Sequence, residues 1–264
     1  MNDQQILSSS KLLFNHKLNK TGLYSLEKLE PQNINDAYKI QNELKVQYLT
    51  LKNNLCIGKK IGCTSIAAQV QMNVSEPFYG NLFSRFSTTN IENLNSKYFF
   101  EPFVEPEISF RIKDDINISN APYSIDDLYY LLDGILCSIE IVDFRFQKPI
   151  NEIGALNLIS NNGASDFWIK NDEIFMINEI DLNDYKVSLY INGQLKEIGN
   201  TKNVLNNPLN AVLWLINTLA KKGEPLLKGQ YISSGSCTKA YKINVGDIIK
   251  ADFGKLGVIE FNYF

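Results

Sequence analysis

Residues 101–110 read EPFVEPEISF and residues 137–146 read CSIEIVDFRF. Each sets acids into an alternating apolar run of the kind that forms a strand. Successive side chains of an extended segment point to opposite faces, so Glu105 and Glu107 share a face. Like charges that close repel unless a cation lies between them or one keeps a proton. In the second stretch Ile139 and Ile141 face the core, which sends Glu140 to the other face with Ser138 and Val142. An acid between isoleucines in mid-strand is badly placed for solvation, and a buried carboxylate needs a partner charge or a metal. Glu105, Glu107 and Glu140, with no suitable histidine, make a hard oxygen set suited to Mg2+ or Mn2+ with water positions left for substrate. On spacing alone, pairing with lysines on an exposed sheet face stays open.

Outward from these runs the chain is rich in strands. YKVSLYINGQ (185–194) and GVIEFNYF (257–264) alternate or carry β-branched residues, and Asn192-Gly193 between two apolar runs is a hairpin signal. Three helices are expected. One follows NINDAYKIQNELKVQYLTLK, capped by Asn33 or Asn35, with Ala37, Ile40, Leu44 and Tyr48 on its apolar face. A second starts at Ser124, with a Ser-x-x-Asp cap, Leu128, Leu131 and Leu132 facing inward and Gly134 as its stop. A third runs through NPLNAVLWLINTLAKKG, with Asn207 as cap, Pro208 at its first position, Val212, Ile216 and Leu219 inward, and Gly223 past its end. Strands between few helices give an α+β pattern, not a regular βαβ alternation. With no repeat or Pro/Gly-rich linker, residues 1–264 read as one domain. Residues 1–55 form a helical N-terminal segment, and 56–264 form a strand-rich catalytic core.

Composition excludes several functions. The 264 residues carry 26 Lys and Arg against 29 Asp and Glu, a net charge of −3 with the basic residues scattered. No field of that kind favours nucleic acid or an anionic membrane. MNDQQILSSSKLLFNHKLNK lacks a signal-peptide core, and no apolar stretch approaches about twenty residues. The expectation is a cytoplasmic globular protein. Cys56, Cys63, Cys137 and Cys237 lack metal-ligand spacing and read as reduced thiols. Cys63 beside two lysines is a weak nucleophile candidate, since its base would have to be His16, the only histidine.

Two further stretches carry polar chemistry. GKKIGCTS (58–65) is not a phosphate loop, and in an extended segment only one of Lys59 and Lys60 points inward. SSGSCT (233–238) offers hydroxyls and backbone N–H groups in a tight glycine turn, an anion nest.

Taken in order, these stretches resemble the 2-keto-4-pentenoate hydratase and 4-oxalocrotonate decarboxylase branch of the fumarylacetoacetase superfamily. The resemblance runs from about Asp36 to the C-terminus. GKKIGCTS followed by SEPFYGNLF is similar to the Gly-x-Lys-x-Gly-x-Thr-Ser segment and Pro-x-x-Gly-x-Leu turn, and VEPEISF and SIEIVDFRF to the metal-binding strands. The late helix, SSGSCT and VGDIIKADFGKLGVIEFNYF resemble the C-terminal elements. The resemblance implies a mixed, mostly antiparallel β-roll-like core, as in the fumarylacetoacetase C-terminal domain, with peripheral helices. It implies metal ligation by Glu105, Glu107 and Glu140, with Lys60 beside a small 2-oxo or 2-hydroxy acid. Ser65, Phe78, Asn162, Ser236 and Thr238 are the implied substrate contacts. The assembly it implies is a homo-oligomer, open to a partner enzyme of the same pathway.

The activity implied is addition of water to a 2-hydroxy-2,4-dienoate in aromatic meta-cleavage catabolism. A divalent ion chelating the acid's carboxylate and C2 oxygen stabilises a dienolate. The same electron sink serves a vinylogous 2-oxo acid decarboxylase, the second reading. Hydratases of the branch carry an acid where this chain has Phe78, and their Ala-Asp-Asn motif has Asn161 in place of its acid, with Asn162 kept. Phenyl exchanges no proton, so Glu76 and Tyr79 are the candidates to compensate. The same losses keep a third reading, a non-catalytic metal-binding homologue that stabilises an oligomeric partner. Hydrolysis of C–C bonds, which the superfamily performs with a His–Glu pair, is disfavoured because His16 lies outside the matched region.

Overall fold

The computed structural model describes residues 1–24 and 29–264. Two helices open the chain. α1 (Asp3–Asn19) starts on an Asn2/Gln5 capping box and ends at Lys20 in the left-handed region. α2 (Ile34–Leu49) is capped by Asn33, whose side chain accepts from the Asp36 N–H, and buries Ala37, Ile40, Leu44 and Tyr48 as its periodicity predicts. α1 lies in the N-terminal segment expected to be helical, but its bounds are not legible from periodicity, because its buried face is Ile6, Ser9, Ser10, Leu13 and Lys17, three of the five polar. His16 therefore sits within a helix, where the Thr21 hydroxyl meets its Nδ1 at 2.7 Å.

Strands then dominate: β1 (Cys56–Gly62), α3 (Ile66–Met72), β2 (Phe78–Phe83), β3 (Ser87–Thr89), β4 (Asn93–Leu94) and β5 (Pro102–Ile112). After these come α4 (Ile125–Leu131), β6 (Leu132–Asp143), α5 (Ile150–Ser160), β7 (Ser165–Lys170), β8 (Lys186–Ile191), β9 (Gln194–Asn200) and α6 (Pro208–Lys221). The chain ends with β10 (Tyr231–Ser236), β11 (Tyr241–Lys242), β12 (Ile248–Asp252) and β13 (Val258–Tyr263). One sheet runs β2-β1-β10-β5-β6-β7-β3, with β11 also on β5, and the other runs β4-β13-β12-β8-β9. Pairing is antiparallel except for β1 with β10, β3 with β7 and β4 with β13. The result is a mixed helix and strand fold with mixed sheets.

Local signals explain most elements. Asn192 and Gly193 both take positive φ (55° and 72°), which closes the β8–β9 hairpin. α6 is capped by Asn207 with Pro208 at its start, and buries Val212, Ile216 and Leu219. α4 departs from expectation. It keeps the Ser124/Asp127 cap but stops at Leu131, and Leu132 is already extended. Pairing of Leu132 with Ile112 of β5 outweighs the helical pattern, and Gly134 belongs to β6 rather than ending a helix. A Cβ at Gly134 would lie 2.5 Å from the Phe175 carbonyl oxygen, so the close crossing there requires glycine. Among the described residues no helix is long and apolar enough to cross a membrane.

The long central pair β5–β6 fixes the site. Its register sets Glu105 opposite Glu140 and Glu107 opposite Ser138, and paired residues share a face. Ile139 and Ile141 lie on the other face, as expected, yet both faces are buried: Glu107 and Glu140 are 0 % exposed, like both isoleucines. The exposed-face alternative for these acids does not hold.

Candidate metal centre

Glu105, Glu107 and Glu140 each bring a carboxylate oxygen to within 4.8 Å of the other two. β1 lies next to β10 and supplies Lys60, whose Nζ is 3.1 Å from Glu140 Oε2, with both side chains buried. Burial disfavours the Lys60 ammonium, but Glu140, Glu105 and Glu107 together outweigh it and raise the lysine above its ordinary value. The acids feel the reverse. Burial first, then Glu140, pushes Glu105 up to about 7, with Lys60 opposing. Burial, Glu140 and Glu105 hold Glu107 well above the carboxylate range against the Ser233 hydrogen bond and Lys60.

One ammonium does not satisfy three converging carboxyls, two of them fully buried and Glu105 half-buried. Glu107 Oε1 and both oxygens of Glu140 are buried without a hydrogen-bond partner, and so is Ser236 Oγ. The Lys60–Glu140 contact is thus an ion pair without hydrogen-bond alignment. Orphaned hard oxygens converging on one point fit a divalent cation of the Mg2+ or Mn2+ type.

Around the cluster, Phe78 pairs with Gly62 and Gly80 with Lys60 across β2–β1. A Cβ at Gly62 would lie 2.6 Å from the Phe78 ring, and one at Gly163 would lie 3.2 Å from Lys60 Cε and 3.3 Å from that ring. Phe78 therefore walls the lysine side of the site with carbon, where a proton-exchanging group was sought. Cys63 is half-buried, and burial first pushes its thiol up to about 12, Glu105 adding and Lys60 opposing, so it is no thiolate nucleophile. All four cysteines are free.

Several expected site residues are placed elsewhere. Tyr79 pairs with Ile61 on the opposite face of β2, stacks on Tyr38 and meets Glu224 and Lys222 through its hydroxyl. Glu76 is exposed and accepts from Trp214 Nε1 at 3.3 Å. Neither is brought to the carboxylates. Asn162 lies beside the site, but its amide is occupied. Oδ1 accepts from the Asn81 N–H at 2.7 Å, and Nδ2 donates to the Asn81 carbonyl at 2.9 Å. It clamps β2 to the left-handed turn that carries Gly163. Ser65 caps α3 by accepting from Ala68 N–H, and the Thr238 hydroxyl donates to the Lys239 carbonyl.

Two local readings are corrected. Lys59 is buried as well as Lys60, because the other face of β1 is also covered. It bonds to Asn81 at 2.9 Å and Glu224 at 3.2 Å. SSGSCT is not a tight turn but the end of β10, with a bulge between Ser233 and Ser236. Gly235 there has φ +111°, and its N–H points to Glu107 Oε2 at 3.1 Å. The nest reading missed that the acceptor is the protein's own carboxylate.

Buried carboxylates with unpartnered oxygens beside one ammonium and an apolar wall make a donor set suited to a hard divalent cation. No family model matches the chain. It is 31% identical over 234 residues to the 2-oxo-hept-4-ene-1,7-dioate hydratase of Escherichia coli, covering 86% of this chain and 85% of that one. To the 4-oxalocrotonate decarboxylase of Pseudomonas putida it is 27% identical, over 98% and 97% of the two chains. The solved structure of 4-oxalocrotonate decarboxylase from Pseudomonas putida G7, complexed with magnesium and adipate, superposes with a TM-score of 0.93 at 26% identity, covering 100% of this chain and 99% of that one. The chain belongs to the family of 2-keto-4-pentenoate hydratases and 4-oxalocrotonate decarboxylases, which are lyases.

Proposed function

We propose that this protein is a divalent-metal-dependent hydratase that adds water to a 2-hydroxy-2,4-dienoate in aromatic meta-cleavage catabolism, giving a 4-hydroxy-2-oxo acid. The observation that carries this is the set of orphaned oxygens on Glu107 and Glu140 facing Lys60, in a chain with a hydratase relative. Glu105, Glu107 and Glu140 would hold the ion. When bound, it supplies a Lewis acid for the substrate's carboxylate and C2 oxygen. Lys60, kept as an ammonium by the three acids, donates to the same oxyanionic end and orients it. Ser236 Oγ, buried and unpartnered, is free to donate there too. Phe78 and Gly163 pack the conjugated tail and exclude stray water from the lysine side.

The second reading, decarboxylation of a vinylogous 2-oxo acid, is favoured by one observation. The position that hydratases of the branch fill with an acid is a phenyl ring, and neither Glu76 nor Tyr79 reaches the site to replace it. The third reading, a non-catalytic metal-binding homologue that stabilises an oligomeric partner, keeps the same carboxylate set, and metal binding without turnover of either substrate selects it.

We infer further that the two sheets close as a roll of the fumarylacetoacetase type within one domain and that the protein works in the cytoplasm as a homo-oligomer, open to a partner enzyme of the same pathway. Free cysteines and the mainly antiparallel pairing support the reading. Proton NMR with Mg2+ tests the activity, using 2-hydroxypenta-2,4-dienoate and 4-oxalocrotonate in parallel with EDTA controls. Metal-dependent 4-hydroxy-2-oxopentanoate supports the hydratase. Metal-dependent CO2 loss from 4-oxalocrotonate without hydration replaces it with the second reading.

A further inference from the structure

Beneath the carboxylates lies a buried polar cluster that the site chemistry does not use. Trp168 of β7 is 1 % exposed and pairs with Glu140, so its indole sits on the cluster's face. Its Nε1–H donates to Ser233 Oγ at 3.1 Å. Ser109 Oγ donates to the same oxygen at 3.1 Å, and Ser109 and Ser138 hydroxyls are 2.7 Å apart. Ser233 in turn donates to Glu107 Oε2, which also accepts from the Gly235 N–H.

The direction of this chain is fixed by chemistry. An indole N–H can only donate, so it occupies a lone pair of Ser233. The Ser109 hydroxyl takes the other, and the single Ser233 proton is left for Glu107. The bulge at Gly235 adds a second donor by turning a backbone N–H out of the ladder. Glu107 therefore has one oxygen tied twice to the protein and one, Oε1, with no partner.

We propose that Trp168, Ser109 and Ser233 form a brace that positions Glu107, fixing its rotamer so that Oε1 stays turned toward Glu105 and Glu140 as a cation ligand. The inference rests on the cation site of the proposed function. Outer partners of this kind orient metal ligands and set affinity. Ser233 is a positioning residue here, acting through Glu107 rather than on substrate.

The test is Mn2+ affinity of the full chain, measured by electron paramagnetic resonance of free Mn2+ and by titration calorimetry. Ser233→Ala is expected to bind Mn2+ about ten- to hundredfold more weakly than wild type. Ser233→Thr, which keeps the hydroxyl, restores binding to within a few-fold. Trp168→Phe, which keeps a ring but removes the donor, weakens binding in the same direction. Should Ser233→Ala fail to fold, Trp168→Phe decides the matter. Wild-type affinity in the folded alanine variant, or in Trp168→Phe if it stands alone, overturns the brace while leaving the cation site intact. Absence of Mn2+ binding in the wild type overturns both.

Discussion

Lys60 Nζ lies 3.1 Å from Glu140 Oε2, and both side chains are buried. This contact offsets one of three neighbouring acids, and with all three ionised it leaves the site two positive charges short, the charge of a divalent cation.

Removing the ammonium should expose that shortage. Lys60→Met leaves buried carboxylates uncompensated, and loss of one partner of a buried pair typically costs about 3–5 kcal/mol. The metal-free variant is expected to melt well below wild type at pH 8. At pH 5, below the raised range of Glu105, the difference shrinks. Thermal unfolding in EDTA at the two pH values checks this, and added Mg2+ should recover part of the loss.

Glu107→Gln should act in the opposite sense on stability. Burial, Glu140 and Glu105 hold this carboxyl well above its usual range, so its ionised form is a burden to the metal-free fold. An amide of the same size removes the burden while deleting a ligand. The expected result is a higher melting temperature in EDTA at pH 8, Mg2+ binding weakened at least about a hundredfold, and no turnover.

The pH dependence follows from the same shifts. Glu105 is raised from 4.5 to about 7 and Glu107 is raised as well, so between these values the folded state holds more protons than the unfolded one. The Glu105 contribution is fully present below pH 4.5 and is lost as pH rises through about 7, and Glu107 acts in the same direction. Metal-free protein should therefore lose stability across that window. Mg2+ affinity should rise over the same interval, because binding displaces those protons. Calorimetry in two buffers of different ionisation enthalpy measures the protons released.

Gly235→Ala probes the bulge. The residue has φ +111°, and a Cβ would meet Thr64 Oγ1 at 2.2 Å. Strain and overpacking together should destabilise by about 2–4 kcal/mol. Chemical denaturation gives the value.

Much of the site was legible in the sequence because strand alternation is strict: Glu105, Glu107 and Glu140 meet as their spacing predicts. Local punctuation also carried through at Asn33, Asn192-Gly193 and Asn207-Pro208. Alternation does not say how much lies on each side of a strand. Lys59 looked like the outward lysine, yet Asn81 and Glu224 cover it. The face of Tyr79 depended on its register with Ile61, which the motif did not show. The bounds of α1 within the helical N-terminal segment escape a periodicity reading because its inner face uses Lys17 as a partner for Asp166 and buries Ser9 and Ser10. Ser233 and Gly235 were read as a turn because a bulge and a turn share the same small residues.

Binding of oxalate, which mimics the chelating end of a 2-oxo acid, tests the centre most directly. It should be titrated into the wild-type protein with Mg2+ and again with EDTA. The account predicts saturable binding with Mg2+ and none with EDTA, and no binding to Glu107→Gln in either. Equal binding in EDTA, or none with Mg2+, would contradict a cation held by Glu105, Glu107 and Glu140.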